Sequence, residues 1–75
     1  MNFLVVYKRS RGELISIEQF DSGDEQIAEL SRRESANTDP DIEIVALLSS
    51  SFESLKVTHG RYFMSAPKDL QPTFR

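Results

Sequence analysis

His59 is the chain's single histidine, and Ser49, Ser50 and Ser51 lie a short way upstream of it. A histidine acting as general base needs a hydroxyl to activate and a carboxylate to orient its ring. Both residue types are present, but serines placed ahead of a helix serve first as caps, and a histidine near a helix C-terminus is favoured by the helix dipole. An enzyme using His59 therefore ranks third among the functional readings, and no catalytic residue is assigned. One histidine and no cysteine leave zinc without its usual ligands, and no acidic cluster has the spacing of a calcium loop. Gly12, Gly23 and Gly60 are isolated, so there is no glycine-rich phosphate loop. No metal and no cofactor are expected.

Lys8, Arg9 and Arg11 form a second cluster, at what reads as a hairpin tip, with Lys56 and Arg61 further on. Basic tips can hold phosphates, which makes these three the candidate anion or nucleic-acid contact. The stretch from Glu13 to Glu29 opposes this: it carries Glu18, Asp21, Asp24 and Glu25 between its ends and no base. That acidic face offers a surface for a basic partner, or simply a solvated helix start. Phe3 and Tyr7 could stack bases on a sheet, but the basic, aromatic-rich signature of sheet-type RNA binders is missing.

These residues must be positioned by a chain of 75 residues with 9 Lys+Arg against 12 Asp+Glu, a net charge of −3, and no Cys or Trp. That length gives one small domain with a limited core. The missing cysteines exclude a disulfide scaffold, a thiolate site and a cysteine nucleophile. No apolar run reaches the roughly 18 residues of a membrane span, and Met1–Tyr7 has neither the basic start nor the long apolar stretch of a signal peptide. A cytoplasmic location, away from membrane, is the expectation.

Asn2–Lys8 (NFLVVYK) and Glu13–Phe20 (ELISIEQF) are short β-rich runs around a loop ending in Gly12, the grammar of a hairpin. Ser22 and Glu25 have capping-box spacing, and a narrow apolar stripe of Ile27, Ala28, Leu30, Ser31 and Ala36 predicts a helix from Gly23 to Ser35. Asn37–Asp41 breaks it. Ile42–Leu48 (IEIVALL) is a third strand. Ser50 and Glu53 again have capping-box spacing, and Phe52, Leu55 and Val57 or Thr58, then His59 and Tyr62 or Phe63, recur at near-helical spacing and predict a second helix, over Ser51–His59, stopped near Gly60. Residues 1–63 form the domain. Residues 64–75, with Pro67 and Pro72, form an irregular or disordered C-terminal tail.

The order β-β-α-β-α predicts an α+β fold: a three-stranded antiparallel sheet, order 2-1-3, with the helices on one face. The first strand, being the most apolar, takes the centre. A type I turn with Gly12 as bulge residue sets Tyr7 opposite Ile15 and Val5 opposite Ile17. The helices then cover Phe3, Val5, Tyr7, Ile15 and Ile17. Leu4, Val6, Leu14, Val45 and Leu47 remain on the outer face, whereas a register one residue different leaves Phe3, Val5 and Tyr7 outside instead. Each such side chain gains about 1.5–3 kcal/mol on full burial, so a cluster of them marks an interface. The competing occupant is the tail, through Met64, Leu70 and Phe74. A second route to association is a strand edge, since no proline interrupts the second or third strand.

The piece Thr58-His59-Gly60-Arg61-Tyr62-Phe63, after NFLVVYK, an acidic helix start and DPDIEIVAL, resembles small stand-alone bacterial proteins of hairpin-helix-strand-helix pattern that end in T-H-x-R-Y-F. The likeness spans residues 2–63. It implies that the segment after Phe63 is dispensable to the fold, and it brings no activity with it. His59, Arg61 and Tyr62 become the candidate functional cluster.

Taken together, the sequence points to a small protein-interaction or adaptor module whose partner is a second copy of the chain or another protein. A nucleic-acid-associated protein using Lys8, Arg9 and Arg11 is the alternative.

Overall fold

The computed structural model describes residues 1–75. Strands β1 (Asn2–Lys8), β2 (Glu13–Phe20) and β3 (Ile42–Leu48) and helices α1 (Gly23–Ala36) and α2 (Phe52–Thr58) follow the expected order, and a two-residue strand β4 (Thr73–Phe74) closes the chain. Short 3₁₀ turns at Arg9–Arg11 and Gly60–Tyr62 complete it. The fold is α+β, and its sheet is four-stranded and mixed, in the order β3-β1-β2-β4. β1 is antiparallel to both neighbours, while β4 joins β2 in parallel. The expected three-stranded antiparallel sheet is thus extended by a strand from the tail, which is otherwise irregular. No helix is long and apolar enough to cross a membrane.

Local chemistry sets most boundaries. Gly12 adopts φ 58, ψ 35 after the first 3₁₀ turn, a left-handed conformation that glycine takes without strain. Ser22 caps α1 by accepting the Glu25 N–H at 3.1 Å. The cap of α2 is Ser51, which accepts the Ser54 N–H at 3.0 Å, one residue later than expected at Ser50.

The two helices lie on opposite faces of the sheet, not on one. Val5 pairs with Ile17 as expected, but Tyr7 pairs with Leu14, because a bulge between Val6 and Tyr7 leaves Ile15 without a partner in β1. The α2 face therefore holds Phe3, Val5, Tyr7, Leu14 and Ile17, joined by Val45 and Leu47 from β3. Leu55 and Tyr62 seal this core, with Phe52, Phe63 and Leu70 packed around it. The α1 face holds Leu4, Val6, Glu18, Phe20, Ile44 and Ala46. Leu4 is fully buried there. The five residues expected to share an open outer face are consequently divided: Leu4 and Val6 lie on the α1 side, Leu14, Val45 and Leu47 on the α2 side. Topology supplies the reason. β2 and β3 run parallel with β1 between them, so β2-α1-β3 is a crossover, and a crossover commits its helix to one face. The other apolar face then falls to α2 and to Leu70 of the tail.

α1 is also turned differently from its apolar stripe. Ile27 stays half exposed, while Gln26 and Glu29 are buried. Gln26 donates from Nε2 to the carbonyls of Phe3 at 2.7 Å and Leu47 at 3.2 Å. Glu29 is held by Arg33 at 2.7 Å, and Arg33 also reaches both oxygens of Glu18 at 2.6 Å. A buried amide or carboxylate with its partners in place avoids the desolvation cost that a bare one would carry, so a polar underside can seat a helix.

Candidate functional site

β3 forms one lateral edge of the sheet, and its outer side has no neighbouring strand. The phase of its backbone follows from its two ends. The Met1 amino group donates to Ser49 O at 2.8 Å and the Ser49 N–H returns to Met1 O at 3.2 Å. At the other end the Arg9 N–H donates to Asp41 O at 2.9 Å. With this register, Asp41, Glu43, Val45, Leu47 and Ser49 direct their backbone groups at β1. Ile44, Ala46 and Leu48 turn theirs outward, as Ile42 does its carbonyl; the Ile42 N–H is taken by Asp39 O at 3.1 Å. The edge has no proline, and Leu48 is 71 % exposed.

Edge strands are commonly protected by a charge. The only charge in β3 is Glu43, and its carboxylate is folded onto the α2 face. Tyr62 donates its hydroxyl to Glu43 Oε2 at 2.5 Å. Arg61 Nη2 binds both oxygens, at 3.0 and 2.8 Å, and also reaches the Tyr62 hydroxyl at 2.8 Å. Arg9 Nε adds a bond at 3.3 Å. These donors, Tyr62 first and then the guanidiniums, hold the Glu43 carboxyl below its ordinary range. Burial, followed by the hydrogen bond to Glu43 and then the Glu43 charge, pushes the Tyr62 phenol up, so it remains a hydrogen-bond donor at neutral pH. The Tyr7 ring meets Tyr62 edge-on at 5.0 Å, and the Arg61 guanidinium lies 4.2 Å from the centre of the Tyr62 ring. The Tyr7 hydroxyl donates to Arg61 O at 3.3 Å.

The cluster of His59, Arg61 and Tyr62 is thereby split. Arg61 and Tyr62 converge on Glu43, whereas the His59 ring meets only the Thr58 hydroxyl, Nδ1 to Oγ1 at 3.0 Å. No carboxylate bonds to that ring, and Ser51 Oγ is engaged as a cap. No group of three or more potential ligand side chains stands together as a metal site.

No family model, curated protein or solved structure matches the chain. The resemblance drawn over residues 2–63 has no counterpart among them.

The basic hairpin tip is largely neutralised in place. Lys8 Nζ lies 3.3 Å from Asp41 and 3.7 Å from Asp39. Arg9 holds Glu43 and also donates to Pro40 O at 2.8 Å. The Ser10 hydroxyl donates to Asp41 at 2.6 Å and keeps that carboxyl below its ordinary range. Arg11 alone makes no ion pair. Sequence reasoning missed Glu43 as the hub of the site. The available signal was a lone acid in an otherwise apolar strand, at a position that shares a face with the core.

Proposed function

We propose that the protein works by association, and that the free edge of β3 pairs with β3 of a second copy to form a homodimer. The observation that carries this reading is an apolar, proline-free strand of seven residues with outward N–H and C=O groups at Ile44, Ala46 and Leu48.

The strand is complementary to itself. A two-fold axis at Val45 would set Val45 against Val45, Ile44 against Ala46, and Ile42 against Leu48 of the partner copy. Glu43 would meet Leu47, so no like charges oppose one another. The outward groups of Ile44 and Ala46 would satisfy those of the partner copy in hydrogen-bonded pairs. Such an axis is perpendicular to the sheet, so both α1 helices fall on one side and both α2 helices on the other. The result is a continuous eight-stranded sheet with no apolar face left open. The Glu43–Tyr62–Arg61 cluster serves this edge by withdrawing its only charge and fixing the strand.

Replacing Ala46 with proline removes an outward N–H while leaving every β1 bond in place. Light scattering of the wild type and Ala46→Pro at equal concentration tests the reading: the dimer should dissociate in the variant. A wild-type monomer throughout would contradict it.

A further inference from the structure

The opposite edge of the sheet carries a second, different device. β4 pairs with β2 through only Thr73 and Phe74, opposite Glu18 and Gln19, and the Arg75 N–H adds one bond to Gln19 O at 2.9 Å. Phe74 is 70 % exposed, so the strand is not held by apolar burial. Its side-chain anchor is Arg75. The guanidinium lies 3.5 Å from Glu18 and 3.9 Å from Glu29, the two carboxylates buried beneath α1. Beside it is a cavity of about 360 Å³, bounded by Phe20, Glu25, Glu29 and Arg75.

Long, half-exposed ion pairs contribute little, and a two-residue strand has little cooperativity of its own. What the tail displays is a mode of recognition: backbone addition to an edge, with one guanidinium between two carboxylates. Arginine suits this place because its planar fork can address both acids at once. Arg33 orients both acids and Arg32 also pairs with Glu29, so the site is preformed.

We propose that the β2 edge with Glu18 and Glu29 is a docking site for an extended segment of a partner protein that places an arginine where Arg75 lies. In this arrangement Thr73-Phe74-Arg75 occupies the site in cis and must leave before the partner can enter. The tail is a competitor with a high local concentration, which sets the apparent affinity for any segment added in trans. The surface is independent of the β3 edge, since the two lie at opposite ends of the sheet.

The test uses the full-length chain and a fluorescent peptide spanning Leu70–Arg75, with anisotropy as the readout. Arg75→Ala in the protein weakens the cis strand, and the peptide should then bind at least about fivefold more tightly than to the wild type, because more of the population is open. The same peptide with its arginine replaced by alanine should bind more weakly. Glu18→Gln in the Arg75→Ala background should weaken it too, with amide shifts at Gln19 and Glu29 locating the peptide when it binds. Absence of binding to Arg75→Ala at about 1 mM peptide, a range that short tethers reach, would overturn the proposal. So would equal binding by both peptides. Strand exchange between copies predicts a dimer that Arg75→Ala dissociates and Ala46→Pro does not; that pattern would also overturn the assignment to a foreign segment.

Discussion

Tyr62 donates its hydroxyl to Glu43 across 2.5 Å, and this contact ties the turn after α2 to the edge strand of the sheet. It joins residues far apart in sequence, and it is buried on the tyrosine side. A hydrogen bond to a charged group contributes about 1.5–3 kcal/mol. Tyr62→Phe should therefore lower stability by about that amount and shift the thermal midpoint down by roughly 4–8 °C per kcal/mol. Thermal denaturation followed by circular dichroism checks this; an unchanged midpoint would show that the arginines alone satisfy Glu43.

The same contact has a pH signature. The folded-state pKa of Glu43 is depressed, so its contribution is fully present above the ordinary carboxylate range and is lost as pH falls through the lower folded value. Tyr62 works in the opposite direction: its folded pKa is raised, so its contribution is intact below the ordinary phenol value and fades as pH rises past the raised one. Denaturant unfolding between acid and neutral pH should show a steeper loss of stability toward acid in the wild type than in Glu43→Gln. Parallel curves would contradict the ion cluster.

Leu4 and Leu55 are each fully buried, on opposite faces of the sheet. Leu→Ala at either should cost about 2–5 kcal/mol through lost transfer energy and the cavity left behind. The result at Leu4 separates two pictures. A residue waiting on an open face for a partner would lose little monomer stability on truncation, whereas one sealed by α1 loses the full amount.

His59→Ala should change stability by less than about 0.5 kcal/mol, since the ring is partly exposed and its one contact is to the neighbouring Thr58. A large loss by the same melting assay would mean that the imidazole does more than its position suggests.

The sequence announced some of this and hid the rest for physical reasons. Gly12, Ser22 and the breaker run Asn37–Asp41 act locally, so turn, cap and helix end could be read from neighbouring residues. The face taken by each helix is a long-range property. It depends on the crossover between β2 and β3, and on a bulge at Ile15 that moves Leu14 opposite Tyr7. The seating of α1 on Gln26 and Glu29 was hidden as well, because periodicity arguments count apolar residues and assign polar ones to solvent. Gln26 is buried only because the carbonyls of Phe3 and Leu47 are there to receive it. Of the candidate site, the pairing of Arg61 with Tyr62 was visible as a motif. Its target Glu43 was not, since nothing local connects β3 to the turn after α2. β4 carries no pattern of its own and exists through Arg75 and the edge it meets.

The account rests on β3 recognising itself, and the most direct measurement is molar mass by light scattering across an about tenfold dilution, where a reversible dimer must shift by mass action. The wild type should move from dimer toward monomer as it is diluted. Ala46→Pro and Leu48→Lys, the latter placing a charge on an exposed edge position, should both remain monomeric while keeping the wild-type circular dichroism spectrum. A wild type that stays monomeric at every concentration, or variants that still dimerise as it does, would contradict the account.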